Sequence, residues 1–514
     1  MTYTIEKVTT LIGARRYGDR DGNVGFILTD SRSLCFPEET LFFALKSERN
    51  DGHNYIPELY RRGVRNFVVS QVPKGYASDY PEANFLKVVN TLEALQRLAE
   101  RHRDEFNIPI VGITGSNGKT MVKEWLHQLL SPSMFVTRSP RSYNSQIGVP
   151  LSVWLLNEQT QVGVFEAGIS QPGEMLALRD IIQPTIAVLT YLGAAHQENF
   201  ESLEAKCREK IILFHDAETI VYNGDDKTVS GVVNEYKDYK GEKLFWSFRD
   251  TKAPFFVKNV EKKGNLSIIT YIYKGEEDSY SLPFIDEASV TNSIIAAVVS
   301  RRLGLSAEEL DKRMALLEPV AMRLEVKEGQ HGCTLINDSY NSDINSLDIA
   351  LDFMSRRPDH KGRRHTLILS DIFQSGESAK DLYHEVSDLC RKRGVVKFIG
   401  IGPQLCSQSD EIQISEKFFF SNVEEFIDSE VFKSLRDEVI LLKGARQFGF
   451  DQLTELLVQK VHETTLEVNL NAVVANLNYY RAFMKSETKL VCMIKADGYG
   501  AGAVEIAKTL QDHR

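Results

Sequence analysis

The chain has 514 residues, a formal net charge of −10, and 42% hydrophobic and 26% charged residues. This composition is typical of a folded globular protein, and the length predicts three or four domains because one hydrophobic core rarely serves more than about 250–300 residues. The acidic balance, without a long run of Lys and Arg, argues against a nucleic-acid partner.

Two further absences narrow the class of protein. No stretch approaches the roughly 18 consecutive apolar residues of a membrane span, and the first residues lack a signal-peptide pattern, so we expect no membrane insertion. The six cysteines are scattered without the C-x-x-C spacing of a structural zinc site or the pattern of a disulfide framework. A cytoplasmic protein is therefore expected.

The order of predicted strands and helices divides the chain into four units. Residues 1–105 mix short strands and helices into a small α/β domain, and residues 106–318 alternate strands and helices in the manner of a mostly parallel sheet. Closely spaced strand patterns over 243–285 predict an antiparallel annex, followed by a helix. Residues 319–462 predict a third α/β domain, and residues 463–514 begin a new strand, helix, strand, helix pattern.

A glycine-rich segment stands between a predicted buried strand and a predicted helix. The strand is "IPIVGIT", and apolar residues recur at helical spacing after Lys119. Backbone N–H groups of a glycine turn at a helix N-terminus bind anions, a lysine adds a cation for outer phosphates, and a hydroxyl can ligate Mg²⁺. Ile113 occupies the first glycine position of the usual phosphate loop. The segment reads Thr114, Gly115, Ser116, Asn117, Gly118, Lys119, Thr120.

This loop resembles the TGTNGKT signature of the Mur ligase superfamily, the ATP-dependent amide-forming enzymes of peptidoglycan synthesis. The resemblance covers residues 1–460 and implies an α/β, three-domain architecture with a central P-loop parallel-sheet domain and a C-terminal Rossmann-like domain. It also implies ATP and Mg²⁺ as cofactors. The loop residues implied to bind the nucleotide are Gly115, Ser116, Asn117, Gly118, Lys119 and Thr120.

Three segments downstream are similar to metal-binding segments of the family. Glu166 in "FEAGISQPGEM" matches the E-x-G glutamate, and its carboxylate would share a Mg²⁺ with Thr120. His196 in "LGAAHQENFES" matches a histidine near a second Mg²⁺. Lys210 in "EAKCREKIILF" matches a lysine that CO₂ carbamylates, with Lys206 as the competing candidate. The resemblance implies a catalytic set of Lys119, His196 and Lys210 and a metal set of Thr120, Glu166, His196 and Lys210.

Each of these residues also has a plain structural interpretation. From the residues alone, Glu166 is a solvated carboxylate at a strand end, His196 a structural histidine, and either lysine a surface side chain on a helix. The functional interpretation gains weight because several motifs occur in the family's order.

Further matches concern the nucleotide and the third domain. "ASVTNSIIAA" resembles the family's adenine-binding helix, although Ala288 and Ser289 replace its His and Asn. "NDSYNSDINSLDIAL" resembles the D-x-Y-N-A-N-P-x-S segment of the members that add D-alanyl-D-alanine, with Ser342 where Ala is common. "AMRLEV" and "LLKGAR" match two other segments. The implied cofactor residues are Asn292, Arg323 and Asp338, and the implied substrate residues are Tyr340, Asn341, Lys443 and Arg446.

The N-terminal unit resembles the part of the family that binds the UDP-sugar end of the substrate. "TDSR" and "LFFALKSERNDGHNY" carry this likeness, and the D-N-P-R motif that selects a diamino acid is absent. The implied partners are UDP-N-acetylmuramoyl-tripeptide and D-alanyl-D-alanine, joined through an acyl phosphate by a monomeric ligase. The implied substrate residues here are Ser31, Arg32 and Lys46, with Asn144 in the second unit.

The last segment resembles a different family. "TLEVNLNAVVANLNYYRAFM" and "KLVCMIKADGYGAG" are similar to the start of alanine racemase, and Lys495 matches the lysine that binds pyridoxal phosphate at the end of a barrel strand. A (β/α)₈ barrel needs roughly 200 residues or more, whereas about fifty remain here. We therefore expect a partial (β/α) barrel fragment of a ligase–racemase fusion, inactive as a racemase, with pyridoxal phosphate bound only in a complete racemase domain.

Two alternatives stay open. The chain is compatible with another Mur-type ligase or a folate polyglutamate ligase, which the third-domain and N-terminal segments disfavour. It is also compatible with a non-catalytic nucleotide-binding regulator, in which Glu166, His196 and Lys210 would be dispensable.

Overall fold

The computed structural model describes most of the chain in thirteen stretches. These are residues 2–47, 50–140, 142–193, 197–237, 239–320, 324–339, 343–356, 362–372, 378–445, 448–459, 468–485, 487–499 and 502–512. Three α/β units follow one another along the chain, and each is built on its own five- or six-stranded sheet.

The first unit is built on a five-stranded sheet with parallel strands except at one edge. In sheet order the strands are Arg15–Tyr17, Asn84–Lys87, Asn66–Val69, Thr40–Phe43 and Phe26–Leu28. A small antiparallel pair, Tyr3–Thr4 with Asn23–Val24, lies beside it. Its α-helices are Ile5–Leu11, Ile56–Arg61, Tyr76–Asp79 and Thr91–Arg103.

The second unit contains a six-stranded, fully parallel sheet. In sheet order the strands are Glu242–Lys243, Thr219–Val221, Ile186–Leu189, Ile110–Thr114, Val162–Glu166 and Val136–Arg138. The helices around it are Lys119–Leu130, Gly148–Val153, Glu174–Ile182, Leu203–Ile211 and Lys227–Glu235. Because Ile110–Thr114 lies centrally, its carboxyl end opens at the edge where parallel α/β sheets bind ligands.

An annex follows, as the sequence predicts. Its long strands, Phe255–Lys263, Leu266–Tyr273 and Glu276–Leu282, pair antiparallel, and the short strand Trp246–Ser247 adds in parallel. Helix Glu287–Arg302 is apolar and buried over most of its length, and it packs on helix Lys119–Leu130. Helix Ala307–Met314 closes this unit. Both helices share the core that supports the glycine-rich loop.

The third unit has a second six-stranded sheet, parallel except for its first pair. In sheet order the strands are Glu325–Glu328, Thr334–Asn337, Glu438–Lys443, Arg364–Ser370, Lys397–Ile401 and Glu416–Phe420. Its helices are Ile344–Arg356, Ala379–Lys392, Pro403–Ser407, Val423–Ile427, Glu430–Lys433 and Phe450–Leu457. Apolar clusters cover both faces of the sheet, which is typical of buried parallel strands.

The last segment differs from its prediction. Its described residues form helices Leu470–Arg481, Lys495–Tyr499 and Ala503–Asp512 and contain no strand. The predicted strand ending at Lys495 is therefore wrong, and Lys495 instead begins a short helix. A parallel strand is stabilised by hydrogen bonds to neighbouring strands, and no described residues lie beside this segment as a strand. Among the described residues, no helix is long and apolar enough to cross a bilayer.

Candidate functional site

The glycine-rich loop has the backbone conformation that its two glycines allow. Gly115 has φ of +146° and Gly118 has φ of +86°, and a Cβ on Gly118 would lie 2.5 Å from Asn292 Oδ1. The loop is anchored because Ser116 N donates to Tyr191 O at 2.6 Å. Helix Lys119–Leu130 starts directly after Gly118, so the loop amides and the helix N-terminus form an anion-binding turn.

Three lysines converge on this loop. Lys119 Nζ donates to Gly115 O at 2.7 Å and to Ser116 O at 3.3 Å. Lys210 Nζ donates to the same Gly115 carbonyl at 3.3 Å, and Lys206 Nζ donates to Gly193 O. This concentration of positive charge around a glycine turn suits a polyphosphate.

The two helical lysines differ in their surroundings. Burial, with repulsion from Lys119 and Lys206, lowers the pKa of Lys210 well below its ordinary value. Burial also lowers the pKa of Lys206, to about 8, and the charge of Asp343 opposes that shift. Because the neutral amine is the form that attacks CO₂, the environment of Lys210 favours carbamylation more strongly.

Glu166 stands at the end of the strand beside the loop strand, and it is fully buried. Thr120 Oγ1 donates to Glu166 Oε2 at 3.1 Å and lies 3.2 Å from Ser142 Oγ. A hydroxyl and a carboxylate side by side are the hard oxygen donors that Mg²⁺ prefers, so the residues present fit this ion. Among the described residues, no three His, Cys, Asp or Glu side chains gather into a metal-binding group.

The sequence interpretation missed Lys123. Its ammonium lies 3.0 Å from Glu166 Oε1 and 3.0 Å from Glu124 Oε1, and its side chain is fully buried. Glu166 Oε1 has no partner that meets hydrogen-bond geometry, so the contact with Lys123 is an ion pair. The available signal was the four-residue spacing from Lys119, which places both lysines on one side of the helix.

A cleft of about 610 Å³ unites residues from three units. The first unit contributes Leu92, and the third contributes Asp338 and Ser346. Asn117 Nδ2 also approaches Asp343 Oδ1 at 3.5 Å across the same gap. The predicted site residues that line the cleft are Gly115, Ser116, Asn117, Gly118, Lys119, Thr120, Asn144, Lys210, Asn292 and Asp338.

Other predicted residues lie elsewhere. Arg32 is exposed and pairs with Asp30 at 2.6 Å; neither it nor Ser31 or Lys46 lines the cleft. Lys443 is fully buried, and its ammonium donates to Asp338 Oδ2 at 2.6 Å, behind the cleft wall. Lys495 belongs to the exposed last segment. The predicted residues outside the described ranges are His196, Arg323, Tyr340, Asn341 and Arg446.

The sequence of this chain matches two known protein families in different parts. Residues 113–300 match the family model "Mur ligase middle domain", and residues 468–514 match "Alanine racemase, N-terminal domain". The UDP-N-acetylmuramoyl-tripeptide--D-alanyl-D-alanine ligase of Bacillus subtilis (strain 168) is 25% identical over 84% of this chain and 93% of its own length.

Solved structures show the same fold. MurF from Acinetobacter baumannii superposes with a TM-score of 0.78 at 21% identity, covering 89% of this chain and 99% of that chain. MurF ligase from Thermotoga maritima in complex with ADP superposes with a TM-score of 0.71 at 22% identity, covering 84% and 96%. The three sheet-based units of this chain therefore form the three-domain architecture of these proteins.

Proposed function

We propose that this chain, a member of the Mur ligase family, uses ATP to join D-alanyl-D-alanine to UDP-N-acetylmuramoyl-tripeptide. The observation that carries the proposal is the shared cleft, where the glycine-rich loop, the buried Lys210, and Asp338 of the third unit face one space. The names of the relatives support the choice of substrates.

Binding of the nucleotide is assigned to the loop. Its amides and the Lys119 ammonium would hold the β- and γ-phosphates, replacing the carbonyl contacts that Lys119 makes. Thr120 and Glu166 would hold Mg²⁺, which neutralises phosphate charge when bound. Asn292, which touches the loop at Gly118, is assigned to the adenine side.

The role of Lys210 depends on its neutral amine. Its nitrogen attacks CO₂ and loses a proton, which leaves a carbamate anion in place of an ammonium. This change converts a group that would repel Mg²⁺ into an oxygen donor at the loop. We propose Lys210 for this reaction, with His196 as a second metal residue.

The bond changes then require mainly positioning. A substrate carboxylate oxygen attacks the γ-phosphorus, ADP leaves, and an acyl phosphate forms. The amine of D-alanyl-D-alanine attacks the acyl carbon, loses a proton and expels phosphate, which leaves the amide. Because the cleft draws on three units, we propose that closure of these units excludes water before the acyl phosphate forms.

The proposed use of ATP as a co-substrate supports a cytoplasmic location for the protein.

The racemase match is confined to residues 468–514, and Lys495 stays the predicted pyridoxal phosphate lysine of a complete racemase domain.

The direct test is a mass-spectrometric assay for the amide product from UDP-N-acetylmuramoyl-tripeptide, ATP and D-alanyl-D-alanine. We expect product with the dipeptide and none with D-alanine or with glutamate plus a folate. Lys119→Met should abolish it, whereas Lys258→Met, a surface change on the annex, should not. Retained ADP binding without any amide product would instead support the alternative of a non-catalytic nucleotide-binding regulator.

A further inference from the structure

A line of alternating charges runs from the edge of the second unit to the candidate metal carboxylate. Arg138 Nε donates to Glu124 Oε2 at 3.0 Å. Glu124 Oε1 lies 3.0 Å from Lys123 Nζ, which lies 3.0 Å from Glu166 Oε1. The exposed fractions of the Lys123 and Glu166 side chains are both 0%. The ammonium therefore contacts the carboxylate inside the protein, away from solvent.

The two oxygens of Glu166 consequently have different partners. Oε1 faces the Lys123 ammonium, whereas Oε2 accepts from Thr120, which lines the cleft. This division makes Oε2 the oxygen whose partner lines the cleft. Mg²⁺ demands a compact octahedron of single oxygen donors, while Ca²⁺ readily takes both oxygens of one carboxylate.

We propose that Lys123 is a positioning residue that occupies Oε1 of Glu166 and so makes the site select Mg²⁺ over Ca²⁺. The inference rests on the proposed function, because that function assigns the metal to Thr120 and Glu166. A lysine that served only as a buried ion-pair partner would affect stability and leave the discrimination between the two ions unchanged.

The decisive readout is the ratio of the two ion affinities. Loss of a nearby ammonium removes a Coulomb repulsion and so strengthens the binding of any cation. The affinity for one ion alone is therefore ambiguous. The ratio removes this common effect. We would measure it with ADP and Mn²⁺ on the whole chain, following free Mn²⁺ by electron paramagnetic resonance while Mg²⁺ or Ca²⁺ displaces it.

The wild-type protein and three variants are compared. Lys123→Met, which has no donor for Oε1, should shift the ratio toward Ca²⁺ by about tenfold, at the lower end of effects seen when a group behind a metal ligand is removed. Lys123→Gln keeps an N–H donor of similar length and should stay within about threefold of wild type. Arg138→Gln, at the far end of the charge line, is the matched control and should keep the wild-type ratio.

The result that overturns the inference is an unchanged ratio in Lys123→Met. If that variant does not fold, Lys123→Met/Glu124→Gln carries the same test, because it removes one of the two carboxylates beside Lys123 together with the ammonium. A wild-type protein that binds no Mn²⁺ with ADP also overturns it. A ratio shift in a chain that makes no amide product would leave this inference standing and refute the proposed function alone.

Discussion

The buried pair of Asp338 and Lys443 offers a quantitative test of the third unit. The two residues follow and end adjacent parallel strands, and Lys443 Nζ lies 2.6 Å from Asp338 Oδ2. Their side chains are 8% and 0% exposed, so water cannot replace Asp338 as the partner of the Lys443 ammonium. Asp338→Asn would leave an ammonium buried without its counter-charge, which costs about 3–5 kcal/mol.

This cost is large enough to measure. At about 2–4 °C per kcal/mol for a domain of this size, the unfolding temperature of the third unit should fall by roughly 6–20 °C. Differential scanning calorimetry, which separates the transitions of different units, is the assay. Asp338→Asn/Lys443→Met, which removes both charges, should regain most of the loss. A single variant that unfolds at the wild-type temperature, or a double variant no more stable than the single one, would refute the argument.

Three further outcomes are expected. Gly118→Ala should abolish ADP binding in calorimetric titration, because a side chain at φ +86° costs about 1–2 kcal/mol and its Cβ would meet Asn292. With ¹³C-bicarbonate, a carbamate NMR signal should vanish in Lys210→Met and persist in Lys206→Met; the reverse would transfer the role to Lys206. Burial lowers the pKa of His102 from 6.5 to about 4, so the unfolded state binds more protons between these values. Stability should therefore be complete above pH 6.5 and fall by about 3 kcal/mol toward pH 4, and His102→Gln should flatten this dependence in urea titrations.

Local patterns predicted the parts of the fold that local sequence determines. The antiparallel annex over 243–285 and the helix after it are confirmed, because alternating residues and turns act within a few positions. The strand, loop and helix around Lys119 are confirmed for the same reason. The strand before Lys495 was wrong because a parallel strand depends on distant partners.

The candidate site shows the same division. The loop residues could be predicted, since one short segment carries the whole anion-binding turn. The four-residue spacing places Lys123 on the side of the helix that carries Lys119, but it does not identify the partner, because Glu166 lies on another strand of the sheet. From the sequence alone, a buried lysine cannot be distinguished from a surface lysine. Only the fold shows the carboxylates beside it.

Two of the buried lysines near the loop, Lys123 and Lys210, are suited to opposite tasks by their neighbours. Lys123 lies 3.0 Å from two carboxylates, so its charge is compensated inside the protein and it can hold a carboxylate in place. Lys210 donates to a carbonyl and faces the repulsion of Lys119 and Lys206, which lowers its pKa and favours the nucleophilic amine. If Lys123 and Lys210 exchanged their neighbours, they would also exchange their chemical roles. A carboxylate introduced beside Lys210 should therefore suppress its carbamylation without altering the loop, whereas a loop that still carbamylates Lys210 next to such a carboxylate would contradict this electrostatic argument.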